Sequence, residues 1–266
     1  DNSESVNLFS PEAMLYLKSN YSNTADHKNS NDSTYIKTEL SYKEIDGSWK
    51  KINSKIKRRG NNRLKNCYFT PIKLKIKKSV AVGTVFEGNN KLKLVLPCIQ
   101  QKDLNDNILK EFMAYKLFEL ISPYHFKTRL AAIDYKEKRG DRFKLHQIKG
   151  ILIEDIDKTA DRYEGGVIER DIHPLTQDGA CSIRNDFFQY MIGNTDYSIA
   201  HQHNQKLLYI DKMIVPIPYD FDMSGLVNAS YSVVPTANGN QLEINNVTQR
   251  LFRGDKRDER IYHKIR

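Results

Sequence analysis

Alternating apolar and polar residues predict β-strands through much of the first half of the chain. Residues 91–96 place Leu92, Leu94 and Leu96 on one side of an extended chain, which is the two-residue period of a strand with one buried face. Similar patterns predict strands over 35–40, 48–56 and 69–76, a strand pair over 129–135 and 148–154, and two short strands over 206–210 and 214–219. Strands therefore dominate the first half.

Two segments have the period of a helix. In 107–121, apolar residues recur every three or four positions, and Glu111 lies within that apolar stripe. A carboxylate in such a position needs a cation or hydrogen-bond donors nearby. A second, more apolar helix is predicted over 183–193, where Gly193 ends it.

The order of these elements predicts an α+β fold with two lobes. We expect a flexible N-terminal segment at 1–33, in which Ser10 and Pro11 predict the start of a short helix. A β-rich first lobe is expected at 34–122, and it includes the helix that carries Glu111. A mixed helical second lobe is expected at 123–266.

Composition excludes some classes of protein and leaves others open. The chain has 266 residues, is 39% hydrophobic and carries a net charge of +9, so it can form a core and is not a wholly disordered chain. It contains no run of about 18 apolar residues, so no transmembrane segment is predicted. Lysine and arginine are concentrated between Lys43 and Lys93, which favours an anionic partner such as nucleotide phosphates, nucleic acid or acidic lipid. No nucleic-acid-binding motif accompanies the charge, and a nucleic-acid partner is not expected.

The three cysteines leave the compartment open. Cys67, Cys98 and Cys181 have no metal-ligand spacing, and their odd number rules out a fully paired disulfide framework. A Cys67–Cys98 bridge is open if two neighbouring strands carry these residues. Because the sequence starts at Asp1 rather than Met, one interpretation is an exported mature form that has lost its signal peptide and lies in the periplasm or at the cell surface.

The densest group of polar residues surrounds a predicted hairpin. Asp196 and Asn204 lie in the loop before it, and Asp220 and Asp222 follow its second strand. Phosphoryl transfer from ATP needs Mg²⁺ held by hard oxygen ligands and a carboxylate that orients the acceptor hydroxyl. We therefore predict that Asp196 is the catalytic residue and that Asn204 and Asp220 hold the metal, with Asp222 assisting.

The first lobe offers candidate phosphate ligands. Lys93 lies on a strand shortly before the helix with Glu111, and an ion pair between them would explain a carboxylate on an apolar helix face. Lys73 and Lys75, on the preceding strand, are alternative lysines. The loop that begins at Arg59 contains a glycine, and it offers an arginine and backbone N–H groups to a phosphate.

These segments together resemble a kinase-like superfamily. It includes the spore coat CotH kinases and, more distantly, HipA-type and phosphoinositide kinases, and the chain also resembles exported bacterial proteins of the same type. The resemblance covers roughly residues 55–235 and implies a bilobal kinase-like fold, ATP and Mg²⁺ (or Mn²⁺). It also implies that the Lys93–Glu111 pair binds the nucleotide phosphates.

The resemblance has departures and alternatives. Asp196 and Asn204 are eight positions apart, where protein kinases have five, and Asp-Phe-Asp at 220–222 reaches its glycine only at Gly225. A nucleotide-binding pseudokinase or a partner-binding module is one alternative function. A metal-dependent hydrolase that uses His201 and His203 is another. The phosphate acceptor, protein or small molecule, and the oligomeric state stay open.

Overall fold

A computed structural model of the chain describes residues 7–10, 13–19, 34–101, 104–139, 141–237 and 240–263. The chain divides into two compact units that alternate along the sequence. Unit 1 comprises Asp1–Ile108 and Lys127–Asp155, and unit 2 comprises Leu109–Phe126 and Ile156–Arg266. The predicted domain limits at 33 and 122 stay predictions. No described helix is long and apolar enough to cross a membrane.

Unit 1 is built around a closed barrel of seven strands in the order β1-β2-β3-β4-β5-β7-β6. The strands are β1 Leu15–Ser19, β2 Ile36–Lys43, β3 Trp49–Arg58, β4 Ile72–Ile76, β5 Lys91–Val95, β6 Thr128–Arg139 and β7 Arg142–Glu154. Neighbouring strands pair antiparallel, except that β1 and β6 are parallel. Two short helices, α1 Asn61–Asn66 and α2 Lys78–Ala81, lie in its connections.

The two-residue period decides which side chains fill the barrel. In β3, Ile52 and Ile56 are buried, whereas Lys51 and Lys55 between and beside them are exposed. The same alternation runs through β1, where Leu15 and Leu17 are buried. The apolar faces of all the strands therefore meet in one core.

A disulfide joins Cys67 to Cys98, with their Cα atoms 4.4 Å apart. The sequence left this bridge open on the condition that two neighbouring strands carry the two cysteines, but neither cysteine lies on a strand. Cys67 directly follows α1, and Cys98 lies in the segment after β5. The backbone N–H of Tyr68 also donates to the Cys98 carbonyl oxygen at 2.7 Å, so the bridge and this hydrogen bond tie the two segments together.

The predicted bilobal kinase-like fold with a mixed helical second lobe is wrong. The structure is mostly β, with a closed seven-stranded barrel and 23% helix. One cause is β1, which occupies the place of the predicted N-terminal helix. Leu15 and Leu17 alternate with exposed Tyr16 and Lys18, which suits a strand, and β1 closes the barrel by pairing with β6. The predicted start of that helix at Pro11 lies outside the described residues, as do residues 20–33.

Unit 2 combines a small sheet with helices and long irregular segments. The sheet has the order β10-β9-β8, with β8 Gly166–Ile168, β9 Gln205–Ile210 and β10 Met213–Pro218, and a two-stranded pair is formed by β11 Thr236–Ala237 and β12 Asn240–Gln241. The helices are α3 Leu104–Ile121, whose first residues belong to unit 1, α4 Ile156–Arg162, α5 Gly179–Met191 and α6 Glu259–His263, with a 3-10 turn at Pro174–Thr176.

An aromatic cluster forms part of the core of unit 2. The Phe188 ring of α5 lies 5.0 Å from the Phe118 ring of α3 and 5.6 Å from the Phe221 ring, measured between centroids. Tyr115, one turn before Phe118, lies 4.8 Å from Phe221. Edge-to-face contacts at these distances stabilise such packing, and they fix the segment after β10 against α3 and α5.

Candidate functional site

The candidate site lies at the open end of the β9–β10 hairpin in unit 2. The last residue of β10, Pro218, pairs with the first residue of β9, Gln205. The pairing continues one step further, because the Tyr219 N–H donates to the Asn204 carbonyl oxygen at 3.0 Å. Antiparallel pairing thus brings Asn204 and the segment that starts at Asp220 to the same end of the hairpin.

Asn204 is bound to the Asp196 residue by its side-chain amide. Its Nδ2 donates to the Asp196 carbonyl oxygen at 2.6 Å and to the Asp196 Oδ2 at 3.0 Å. Asn204 has a φ of +53°, a conformation that asparagine tolerates better than most residues. Asp196 thus takes up the amide nitrogen of Asn204, whereas the amide oxygen Oδ1 is a hard oxygen of the kind that Mg²⁺ binds.

His203 holds the second carboxylate oxygen of Asp196. His203 Nε2 lies 3.1 Å from Asp196 Oδ1, and this hydrogen bond raises the pKa of His203 above its ordinary value. The negative charge of Asp220 raises the pKa further, whereas burial and the Arg253 charge oppose the shift. The charges of Asp196 and Asp220 therefore both act on the His203 ring.

Asp220 is held in an uncommon backbone conformation. Its φ is +66°, which costs free energy in a residue that has a side chain. Its N–H donates to the Tyr115 hydroxyl at 2.9 Å, and the Tyr115 ring packs on Phe221. Asp222 is buried, and its Oδ2 accepts a hydrogen bond from the Tyr231 hydroxyl at 3.1 Å. The contact with Tyr115 therefore fixes the backbone of Asp220, and the contact with Tyr231 holds the Asp222 carboxylate.

A chain of five buried side-chain amides leads to Asp196. Its members are Gln177, Gln205, Asn185, Gln189 and Asn194, and each is at most 2% exposed. The chain starts at Gln177, whose Oε1 lies 3.4 Å from Gln205 Nε2, and Gln205 Oε1 accepts a hydrogen bond from Asn185 Nδ2 at 2.9 Å. Asn185 Oδ1 lies 3.5 Å from Gln189 Nε2, and Gln189 Oε1 accepts a hydrogen bond from Asn194 Nδ2 at 2.8 Å. Asn194 Oδ1 then accepts the Asp196 N–H at 3.0 Å.

No predicted site residue belongs to this amide chain. The available signal was the pair Asn185 and Gln189, one helical turn apart in a helix that is otherwise rich in apolar residues. Buried amides need partners because an unsatisfied amide in a core is costly. Here the partners connect α5 and β9 to the loop that carries Asp196.

Arg253 also binds the loop that carries Asp196. Its Nη1 donates to the carbonyl oxygens of Thr195 and Tyr197, at 2.5 and 2.6 Å. These residues flank Asp196. An arginine from the polar end of the chain was not among the candidate residues, because nothing in its local sequence relates it to the 194–204 loop.

Gly225, the displaced glycine of the Asp-Phe-Asp motif, has a structural role. Its N–H donates to the Gly193 carbonyl oxygen at 3.0 Å. A Cβ atom at position 225 would lie only 2.6 Å from the Val247 carbonyl oxygen. Three backbone segments therefore meet where the end of α5 reaches the candidate site, and they approach more closely than a side chain permits.

The two candidate histidines contact different carboxylates. His201 Nδ1 lies 3.1 Å from Asp171 Oδ2, and both side chains are largely exposed. His203 faces Asp196 instead. Across the part of the chain that the structure describes, no group of three or more His, Cys, Asp or Glu side chains is placed to hold a metal ion. The predicted ligand set of one asparagine and two aspartates falls outside that pattern.

The candidate phosphate ligands are placed as follows. Lys93 is buried at 6% exposure on β5, directly opposite Lys73 of β4. Glu111 is buried at 1% exposure on α3 and belongs to unit 2. Lys75 is exposed, with its ammonium 5.9 Å from the Tyr35 ring. Arg59 directly follows β3, and its N–H donates to the Pro71 carbonyl oxygen at 2.9 Å. The pairing of Lys93 with Glu111 stays a prediction.

Comparison with known proteins adds no assignment. No protein-family model matches this chain, and no curated protein matches it.

Proposed function

We propose that the site at the open end of the β9–β10 hairpin is that of an ATP- and Mg²⁺-dependent (or Mn²⁺-dependent) phosphotransferase whose acceptor is unidentified. The observation that carries the proposal is the position of Asn204. Its amide binds Asp196, and its backbone carbonyl accepts from the residue before Asp220. One residue thus joins the proposed base to the proposed metal ligands.

Asp196 is suited to orient an acceptor hydroxyl. Its side chain is 24% exposed, so a substrate can approach it while the backbone is fixed by Asn194 and Arg253. A base within hydrogen-bond reach of a hydroxyl accepts its proton as the bond to phosphorus forms. In loose phosphoryl-transfer transition states, such positioning is a large part of what a protein contributes.

Asn204, Asp220 and Asp222 are the residues that would hold the metal. Two carboxylates and an amide oxygen are ligands that Mg²⁺ accepts, together with water and phosphate oxygens. A bound divalent cation neutralises the charge that builds up on the phosphate oxygens. The chain's own contribution is to position these groups: the Tyr115 hydroxyl accepts the Asp220 N–H, and the Tyr231 hydroxyl donates to the Asp222 carboxylate.

Isothermal titration with ATP and Mg²⁺, combined with an assay of phosphate release or transfer, tests the proposal. Asp220→Asn should abolish metal-dependent binding. Asp196→Asn should retain binding and lose turnover by about 10²-fold or more, because a base acts in the transition state. Asp171→Asn, an exposed carboxylate beside His201, is the matched control and should behave like the wild type.

Two results would contradict the proposal. Wild-type protein that does not bind ATP with either metal would refute nucleotide binding altogether. Binding with no turnover under any tested acceptor, unchanged in Asp196→Asn, would instead support the pseudokinase alternative. Lys93→Ala, Glu111→Ala and Arg59→Ala then test the predicted phosphate ligands, with weaker ATP binding expected for each.

The Cys67–Cys98 disulfide supports export as the proposed localisation. Stable disulfides are rare in reducing cytosol and common outside it. In protein purified from its native compartment, only Cys181 should react with a thiol reagent after unfolding without a reductant. Three reactive thiols would contradict an oxidising compartment.

A further inference from the structure

Five neighbouring strands of the barrel in unit 1 share one outward face. Side chains at directly paired positions lie on the same side of a sheet. One such row runs across β3, β2, β1, β6 and β7 through the paired residues Lys51, Ser41, Lys18, Asp134 and Gln147. Residues two positions away along each strand point in the same direction.

The register therefore defines a basic–aromatic face. Besides the row just described, it contains Tyr16, Lys43, Trp49, Lys136, Lys138, Phe143 and Leu145. The opposite side of the β6–β7 hairpin faces inward. There, Glu137 is buried and accepts the Tyr68 hydroxyl at 2.7 Å, and His146 lies 2.9 Å away.

Large apolar side chains on this face are exposed. Tyr16 is 47% exposed, Trp49 41%, Phe143 57% and Leu145 58%. The side chains that alternate with them, such as Leu17, are buried. Exposed apolar side chains grouped on one face of a sheet are typical of a surface that contacts something else.

The charge on the face is strongly positive. Its lysines include Lys18, Lys43, Lys51, Lys136 and Lys138, and its acidic residues are Asp134 and Glu39, which forms an ion pair with Lys51 at 2.8 Å. Unit 1 as a whole has 27 of the 42 Lys and Arg residues and 16 of the 33 Asp and Glu residues, whereas unit 2 has 15 and 17. The excess positive charge of the chain is thus in the unit that carries this face.

Lysine ammonium groups cover the aromatic rings. Nζ of Lys18 lies 3.8 Å from the centroid of the Trp49 ring, and Nζ of Lys136 lies 4.3 Å from that of Phe143. Nζ of Lys43 lies 5.5 Å from the Tyr16 ring. These cation–π pairs place a charge and an apolar ring side by side, an arrangement suited to the boundary between lipid headgroups and acyl chains.

We infer that the basic–aromatic face binds anionic lipid surfaces. The lysines would contact headgroup phosphates, and Trp49, Tyr16, Phe143 and Leu145 would enter the boundary with the acyl chains. Lipid is favoured over nucleic acid because bases stack on open ring faces, which the lysines cover here. It is favoured over an extended peptide because the closed barrel has no unpaired strand edge among its described strands. The inference does not depend on the proposed phosphotransferase function.

Vesicle sedimentation tests the inference. The full chain should bind vesicles of phosphatidylcholine mixed with phosphatidylglycerol, should bind pure phosphatidylcholine vesicles more weakly, and should be released by salt. Replacing Lys18, Lys136 and Lys138 together by Gln should lower partitioning about 100-fold, at about 1 kcal/mol for each lysine. Replacing Lys77, Lys78 and Lys158, which are exposed elsewhere, removes the same charge and should have a much smaller effect.

The apolar contribution is tested separately. Phe143→Ser combined with Leu145→Ser should lower partitioning about tenfold or more, whereas Leu120→Ser, at an 82% exposed position of α3, should not. Absence of binding to anionic vesicles would overturn the inference, and so would equal losses in the test and control variants. Tighter binding to a single-stranded oligonucleotide than to the vesicles, lost in the same lysine variant, would overturn it in favour of nucleic acid.

Discussion

Asp186 is a buried carboxyl group whose ionisation should weaken the fold. It lies on α5 at 2% exposure, and among the described residues its Oδ1 has no hydrogen-bond partner. Burial raises the pKa of Asp186 to about 7, against the opposing effect of Arg257, and Asp255 adds to the increase. The protonated carboxyl group is therefore the form that the core accommodates.

The sign and size of the effect follow from linkage. A carboxyl group with a raised folded-state pKa binds its proton more tightly in the native protein, so its contribution to stability is complete below the unfolded-state pKa of 3.8. The contribution is lost as pH rises to the folded-state value of about 7. A shift of about three units corresponds to at most about 4 kcal/mol of unfolding free energy.

Asp186→Asn removes this titration while nearly keeping the shape of the protonated side chain. Urea unfolding of the wild type and Asp186→Asn, measured from pH 4 to pH 8, should give a difference in unfolding free energy that increasingly favours the variant as pH rises. Asp161→Asn, at an exposed position on α4, is the control and should leave the profile unchanged. A constant difference between Asp186→Asn and the wild type across this range would refute the reasoning.

Three further predictions test the packing around the site and the barrel. Asn194→Ala should loosen the Asp196 loop and lower the pKa of His203 toward its ordinary value; an unchanged His203 titration by NMR would show that the amide chain does not position Asp196. Gly225→Ala should destabilise the protein by about 1–3 kcal/mol in thermal unfolding, because the new Cβ would lie 2.6 Å from a backbone carbonyl oxygen, whereas Gly166→Ala, with no atom within 4 Å, should cost less than about 1 kcal/mol. Cys67→Ser should cost about 2–4 kcal/mol, since the bridge closes a loop over a separation of 31 residues; equal stability of the oxidised wild type and this variant would argue against a stabilising bridge.

Local patterns were sufficient to predict many of the elements. The hairpin predicted over 206–210 and 214–219 is confirmed as β9 and β10, and the helix predicted over 107–121 is confirmed within α3. Strand and helix periods are properties of neighbouring residues, so the sequence alone contains them. The hairpin then places Asn204 next to the segment that starts at Asp220, because antiparallel pairing follows from the turn between the strands.

Only the tertiary structure decided how the barrel closes, how the buried amides connect, and how Arg253 binds the Asp196 loop. Leu15–Ser19 becomes a strand because it completes the barrel against β6, more than 100 residues away in sequence. Arg253 reaches the Asp196 loop from a distant part of the chain, and the buried amides join α5 to Gln205 of β9; no local pattern identifies either contact. Such contacts depend on which buried surfaces and polar groups meet after folding. The sequence by itself therefore determined the elements and the candidate chemistry. Long-range packing decided the fold and the positions of the side chains.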